Sequence, residues 1–236
     1  MAHSRQVNEP PFTVHFEDQH LIVLSKSAGL LSQGDISGEP SLVDKLRIHF
    51  GRNYVGLIHR LDRNTTGLMI IAKRTKAAER LTNQLQDGTL ERNYHAIVFG
   101  TIPEGKTETW EHHLLKNEKT NEVRVVKAGT AGAKIARLKI LSKKNFQHPE
   151  TKDPLSLVHY SLETGRGHQI RVQSAAMHHP LIGDSKYGTA RSLTLFHRPA
   201  LHSCFLSFLH PMSHEKMTFE ERYGFDMQET FSTLLE

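Results

Sequence analysis

Apolar and polar residues alternate with period two along most of this chain, and helical spacing interrupts that pattern in four places. Phe12 to Phe16 and Leu21 to Ser25 read as short strands on either side of the turn Glu17-Asp18-Gln19-His20. A Gly/Ser-rich loop from Gln33 to Pro40 leads to Ser41. That serine can cap a helix whose apolar residues Leu42, Val43, Leu46 and Phe50 share one face, and Gly51 ends it. Leu68 to Ala72 is a short apolar run bounded by turn residues, which predicts a buried strand. Thr75 is placed to cap a second helix, with Ala77, Ala78, Leu81 and Leu85 inward and Asp87-Gly88 as the stop. Tyr94 to Phe99, the stretch Glu108 to Lys144, Leu155 to Glu163 and Leu201 to Leu209 are strand-like. Thr164-Gly165-Arg166-Gly167 turns into a helix from about His168 to Met177, and Met227 to Leu235 predicts a terminal helix. No Pro/Ser-rich linker, charge block or repeat divides the chain. The pattern predicts an α/β protein of the α+β kind: one domain over residues 12–236, behind a tail at 1–11, on a mixed, largely antiparallel sheet with flanking helices.

Composition narrows the classes. At 236 residues, 37% of them apolar, the chain is polar but long enough for a full core. No run of 18 apolar residues predicts a membrane span, and the first ten residues lack the apolar stretch of a signal peptide. One cysteine, Cys204, excludes an internal disulfide and fits a cytoplasmic setting. Thirty Lys and Arg against 25 Asp and Glu give a net charge of +5, which suits a polyanionic partner. Seventeen histidines invite a metal, but their spacing offers none: His112-His113 and His178-His179 are adjacent, and His214-Glu215 lacks the second histidine of a zincin helix. No metal and no cofactor is therefore expected.

Three segments bear candidate chemistry. In His59-Arg60-Leu61-Asp62-Arg63 a carboxylate sits between two arginines at the edge of the buried strand. In isolation such a cluster is an exposed ion-pair loop, because charges are mostly solvated. In Thr164-Gly165-Arg166-Gly167-His168-Gln169-Ile170-Arg171, Arg171 falls in the first turn of a helix, where a cation opposes the helix dipole at a cost of about 0.3–1 kcal/mol. That electropositive helix start suits a phosphate or a protein carboxylate such as Asp62, or is simply a solvated basic surface. His168 and Arg171, three apart, can face one pocket. Tyr94 begins a strand after a polar turn, as a core-edge residue or as a ring on which a nucleobase stacks.

Together these segments resemble the RluA-type pseudouridine synthases of RNA. His59-Arg60-Leu61-Asp62 followed by Thr65-Thr66-Gly67-Leu68 is similar to their catalytic motif, and Arg92-Asn93-Tyr94-His95-Ala96 to their Lys-x-Tyr-x-Ala strand. Thr164 to Arg171 is similar to their Thr-Gly-Arg-Thr-His-Gln-Ile-Arg. Gly183-Asp184, Lys186-Tyr187-Gly188, Ala200-Leu201-His202 and His210-Pro211 continue the likeness. Thr66, Arg92 and Gly167 stand where the family has serine, lysine and threonine, and Ser27 where it has proline; none of these removes a catalytic group. The likeness begins at Asp18, so a compact member without the N-terminal S4 domain is expected.

The resemblance implies cofactor-free isomerisation of uridine in ribosomal or transfer RNA. Asp62 is then the carboxylate that acts at the ribose, by attack on C1′ or by removal of the C2′ proton. Tyr94 stacks on the freed uracil and Arg171 pairs with Asp62. Arg60 takes the place of the flipped base, His59 and Arg63 line the cleft, and Arg166, His168 and Gln169 meet the RNA backbone. A monomer without an obligate protein partner is expected. The alternatives are a non-catalytic RNA-binding protein or chaperone of the same fold, which would need no Asp62–Tyr94–Arg171 trio, and a glycoside hydrolase. The hydrolase would need a second, raised-pKa carboxyl for which basic surroundings are wrong.

Overall fold

The computed structural model describes residues 10–103 and 107–235; the tail expected at 1–11 lies, up to residue 9, outside the described residues. Its strands are β1 (Phe12–Glu17), β2 (Leu21–Lys26), β3 (Gly56–Leu57), β4 (Thr66–Ala72), β5 (Glu91–Phe99), β6 (Glu108–Asn117), β7 (Glu122–Val126), β8 (Lys134–Gln147), β9 (Pro154–Leu162), β10 (Leu201–Leu209) and β11 (Lys216–Glu220). They form one sheet in the order β1-β2-β4-β10-β5-β9-β8-β6-β7, with β3 added beside β4 and β11 beside β10. Every pairing is antiparallel except β4 with β10, which meet in parallel at Thr66–His202 and Gly67–Ser203. The approach there is close: a Cβ on Gly67, whose φ is +106°, would lie 2.3 Å from the Ser203 carbonyl oxygen.

All seven residues of β4 are buried, because helices cover both faces of this part of the sheet. Helix α1 (Leu42–Phe50) packs Leu42 and Leu46 with Ile22, Leu24, Met69 and Ile71. Helix α2 (Thr75–Asp87) packs Ala77 and Leu81 with Leu21, Val23, Leu68 and Ile70. Double cover explains why the sequence shows a continuous apolar run here rather than alternation. Burying each such Leu or Ile contributes about 1.5–3 kcal/mol.

Helix α1 starts as expected. Ser41 Oγ accepts from the Asp44 amide, Asp44 returns a bond to the Ser41 amide, and Gly51 closes the helix at φ +62°. The expected cap on α2 is corrected: Thr75 is already helical, and Arg74 is the N-cap, without a side-chain bond. The strand ends at Ala72 and the Lys73 amide still binds the His20 carbonyl at 2.7 Å, so the chain turns at Lys73 and Arg74 directly into the helix. Helix α3 (Gln169–Ala176) opens from His168, which adopts a left-handed conformation at φ +53°. The short strand β3 was not expected from the pattern, and neither were two later elements. They are α4 (Ala190–Leu193) and β11, whose alternating burial follows the His210–His214 turn. The last helix, α5 (Phe225–Leu235), begins two residues earlier than expected. Among the described residues, no helix is long and apolar enough to cross a membrane.

Candidate active site

Asp62 lies in the loop between β3 and β4, and buried groups from distant segments hold that loop. Ser32 Oγ donates to the Leu61 carbonyl at 2.7 Å and accepts from the Leu61 amide at 3.2 Å. The Lys26 ammonium, 1% exposed, donates to the carbonyls of Ser27, Leu30 and Arg63 at 2.8–3.0 Å. Burial, with Arg198 adding to it and Asp62 opposing, brings the Lys26 pKa down to about 7. Arg198 donates to the Asn64 carbonyl at 3.2 Å, and the Thr65 amide closes a turn onto the Asp62 carbonyl at 3.0 Å. Nothing in the sequence pattern marks Lys26, Ser32 and Arg198 as parts of the site. Their contacts span up to 134 positions, and local pattern does not report on them.

The carboxylate of Asp62 meets the start of α3. Arg171 Nη1 donates to Asp62 Oδ2 at 2.8 Å, while Nε and Nη2 form a two-pronged pair with Asp184 at 2.7 and 2.8 Å. Burial alone would lower the Arg171 pKa, but the bonds to Asp184 and Asp62 outweigh it, and the net shift is upward. Burial likewise works to raise Asp184, yet Arg171 and the amides of Lys186 and Tyr187 hold it below the usual carboxylate range. The guanidinium also lies 5.2 Å from the centre of the Tyr187 ring. Tyr187 in turn contacts His168 Nδ1 at 2.6 Å, and His168 Nε2 comes to 3.9 Å from Asp62. The family likeness pairs Arg171 with Asp62 and leaves Asp184 and Tyr187 without a role of their own.

Asp62, His168 and Arg171 line a cleft of about 1340 Å³ that also contains His59, Arg60, Arg63, Arg92, Tyr94, Lys116, Arg166 and Lys186. Tyr94 is buried beside Asp62's loop, and burial raises its phenol pKa, so near neutral pH it is a hydroxyl and a poor base. Arg60 is exposed and makes no ion pair or hydrogen bond among the described residues. Arg63, also exposed, donates from Nε to the Gly29 carbonyl and from its fork to Glu39 at 2.9 and 2.5 Å. Arg166 sits on the rim with Nε on the Ile135 carbonyl at 2.9 Å. Gln169 is buried, and its amide ties Thr164, the Arg166 amide and the Arg137 carbonyl together, so it shapes the loop that leads into α3. His59 is buried with Nε2 accepting the Ile70 amide at 3.3 Å. The cleft thus brings all nine predicted site residues to one place except Gln169, which is not among its lining residues.

His95, His159 and Cys204 have ligand atoms within 4.8 Å of one another, on three neighbouring strands. Neighbours along a strand face opposite sides, so His95 points away from Tyr94 and the cleft. Burial pushes the Cys204 thiol up to about 12, whereas a thiol binds metal as the thiolate.

Two buried histidines set an acid limit on the fold. Burial, assisted by Arg92 at His59 and by Arg198 at His202, lowers each pKa to about 3. In the unfolded chain both protonate near 6.5, so as pH falls the unfolded state takes up protons first and stability is lost below 6.5. Going from pH 7 to pH 5 is expected to remove about 2 kcal/mol per histidine, about 4 kcal/mol together. Urea unfolding at the two pH values measures this, and equal stabilities would contradict neutral burial.

The sequence profile of the RNA pseudouridylate synthase family matches residues 20–176. The chain is 32% identical over 256 residues to a protein of Zymomonas mobilis named ribosomal large subunit pseudouridine synthase D, covering 97% of this chain and 75% of that one. It is 36% identical over 241 residues to the protein of the same name from Neisseria meningitidis serogroup A, covering 93% and 60%. The chain therefore spans between three fifths and three quarters of the length of these relatives. Among solved structures, human RNA pseudouridylate synthase domain containing 1 superposes with a TM-score of 0.72 at 23% identity, over 90% of this chain and 85% of that one. That likeness supports the α+β fold.

Proposed function

Since the chain belongs to the RNA pseudouridylate synthase family, we propose that it isomerises a uridine of large-subunit ribosomal RNA to pseudouridine, with Asp62 as the reacting carboxylate. The observation that carries this reading is the Asp62 carboxylate, 28% exposed and held by Arg171, in a cleft where seven arginines and lysines outnumber the carboxylates of Asp35, Asp62 and Glu163. The names of the relatives favour ribosomal over transfer RNA.

The reaction breaks N1–C1′, turns the uracil and joins C5 to C1′. The C5 proton is released and N1 gains one, so nothing is oxidised or reduced. Asp62 acts at the ribose, at C1′ or at the C2′ proton. Arg171, fixed by Asp184, aims it. Tyr94 supplies a ring face for the detached uracil, a stack worth about 1–3 kcal/mol. Drawing the target base out of its stack costs a few kcal/mol, and Arg60, unpaired among the described residues, is available to enter the gap. Arg63 and Arg166 lie along the rim for the RNA backbone, while His59, His168 and Gln169 hold the walls. Each phosphate contacted should add about −0.7 to the salt slope of binding on single strands. We read the protein as a monomer that needs no partner but RNA, working in the cytoplasm, where a lone thiol stays reduced.

The test is tritium release from unmodified, C5-tritiated large-subunit ribosomal RNA transcripts, with transfer RNA in parallel. Release from the ribosomal transcripts at a single mapped uridine is expected. Release from transfer RNA alone would reassign the substrate, and release from neither would leave the RNA-binding alternative.

A further inference from the structure

Two hydrogen-bond donors buried at the cleft have no acceptor among the described residues. His59 Nε2 accepts the Ile70 amide, so the proton of the neutral ring sits on Nδ1, which is buried and unpartnered. Arg92 is 5% exposed, its Nε is buried and unpartnered, and no carboxylate pairs with it among the described residues. Both side chains line the same cleft, and the Arg92 charge adds to burial in keeping His59 neutral. Gly165 completes the pocket: a Cβ there would come within 3.1 Å of Arg92 Nη1, so any other residue would crowd the guanidinium.

A buried cation without a counter-charge costs several kcal/mol, and proteins pair nearly all of them. The other buried arginines here follow that rule: Arg171 has Asp184 and Asp62, and Arg198 has Asp226. Arg92 breaks it inside the substrate cleft. A uracil carbonyl would satisfy a donor but not the charge. A phosphate does both, and its oxygens match the fork of a guanidinium.

We propose that Arg92, together with His59 Nδ1–H, binds a phosphate of the RNA strand next to the flipped uridine, inside the cleft rather than on its rim. This rests on the reading of RNA as the substrate. A phosphate fixed there anchors the ribose relative to Asp62, and the strand enters with its backbone against the Gly165 side of the cleft.

Two measurements on the full chain decide it. In the first, the Arg92 Nε–H resonance is followed while uridine 5′-monophosphate, inorganic phosphate or uridine is added, with Arg92→Lys identifying the signal. Both phosphates should shift it and uridine should not. An equal shift with uridine would assign a base carbonyl instead, and no shift with any of the three would overturn the site. In the second, Arg92→Met should raise KM for the tritiated ribosomal transcript by roughly ten- to a hundred-fold, the scale of a hydrogen bond to a charged group, and lower the salt slope by about 0.7. Its melting temperature should match or exceed wild type, because a buried unpaired charge is gone. A destabilised variant with unchanged KM would make Arg92 structural and overturn the proposal. The two readings separate cleanly: a phosphate-induced shift without tritium release from any RNA leaves the anion site standing and removes the reaction.

Discussion

Asp62→Asn is expected to bind RNA as wild type does and to release tritium from C5-labelled uridine at least about 10²–10⁴-fold more slowly, the contribution of a general base alone. Asparagine fills the same volume, and its carbonyl oxygen can still accept from Arg171 Nη1, so the loop tied down by Ser32, Lys26 and Arg198 has no reason to move. An amide, however, neither attacks C1′ nor takes a proton from C2′. The Arg171–Asp184 pair is untouched, and the position is 28% exposed, so the change should leave stability near wild type. Single-turnover tritium release and filter binding on the same ribosomal transcript separate the two effects. Turnover within about tenfold of wild type would move the chemistry to another group.

What the sequence discloses about this site depends on how local each feature is. The buried β4, the Ser41 cap and the Gly51 stop are written within a few residues, and they stand where the pattern puts them. The partnership of Arg171 with Asp62, 109 positions apart, is implied by the family likeness; the cation in the first turn of a helix asks on its own only for some anion, a phosphate or a carboxylate. Asp184 was hidden for a different reason. It lies in an irregular segment with no periodicity, and only the fold shows that it holds the far side of the same guanidinium. Arg92 stands out in the sequence only as an arginine where the family has lysine, and its lack of a partner among the described residues becomes visible only once burial is known. The strand β11 was missed because Lys216 to Glu220 is short and half-exposed, and its place is set by β10 rather than by its own pattern. The general limit is that periodicity finds what faces the core, whereas pairing of buried polar groups is a property of the assembled sheet.

Arg171→Met is expected to cost about 3–5 kcal/mol of stability as well as turnover, because it leaves a buried charge behind. The Asp184 side chain is fully buried and, without Arg171, keeps only the amides of Lys186 and Tyr187. Burial then dominates and raises the Asp184 pKa, reversing its pH behaviour. In wild type the lowered pKa of Asp184 adds stability above the unfolded value near 4, and that stability is lost as pH falls. In the variant the folded carboxyl protonates more readily than the unfolded one, so acid relieves the defect. The gap between variant and wild type should therefore be widest at pH 7 and narrow toward pH 5, as read from urea unfolding at both. Adding Asp184→Asn removes the stranded charge, while its carbonyl can still accept both amides. The double variant should recover most of the lost stability but not the turnover, since Asp62 remains without the group that aims it. Recovery of both would show that Arg171 matters only for folding. A single variant less than about 1 kcal/mol below wild type would show that the pair is solvated, as exposed ion pairs are.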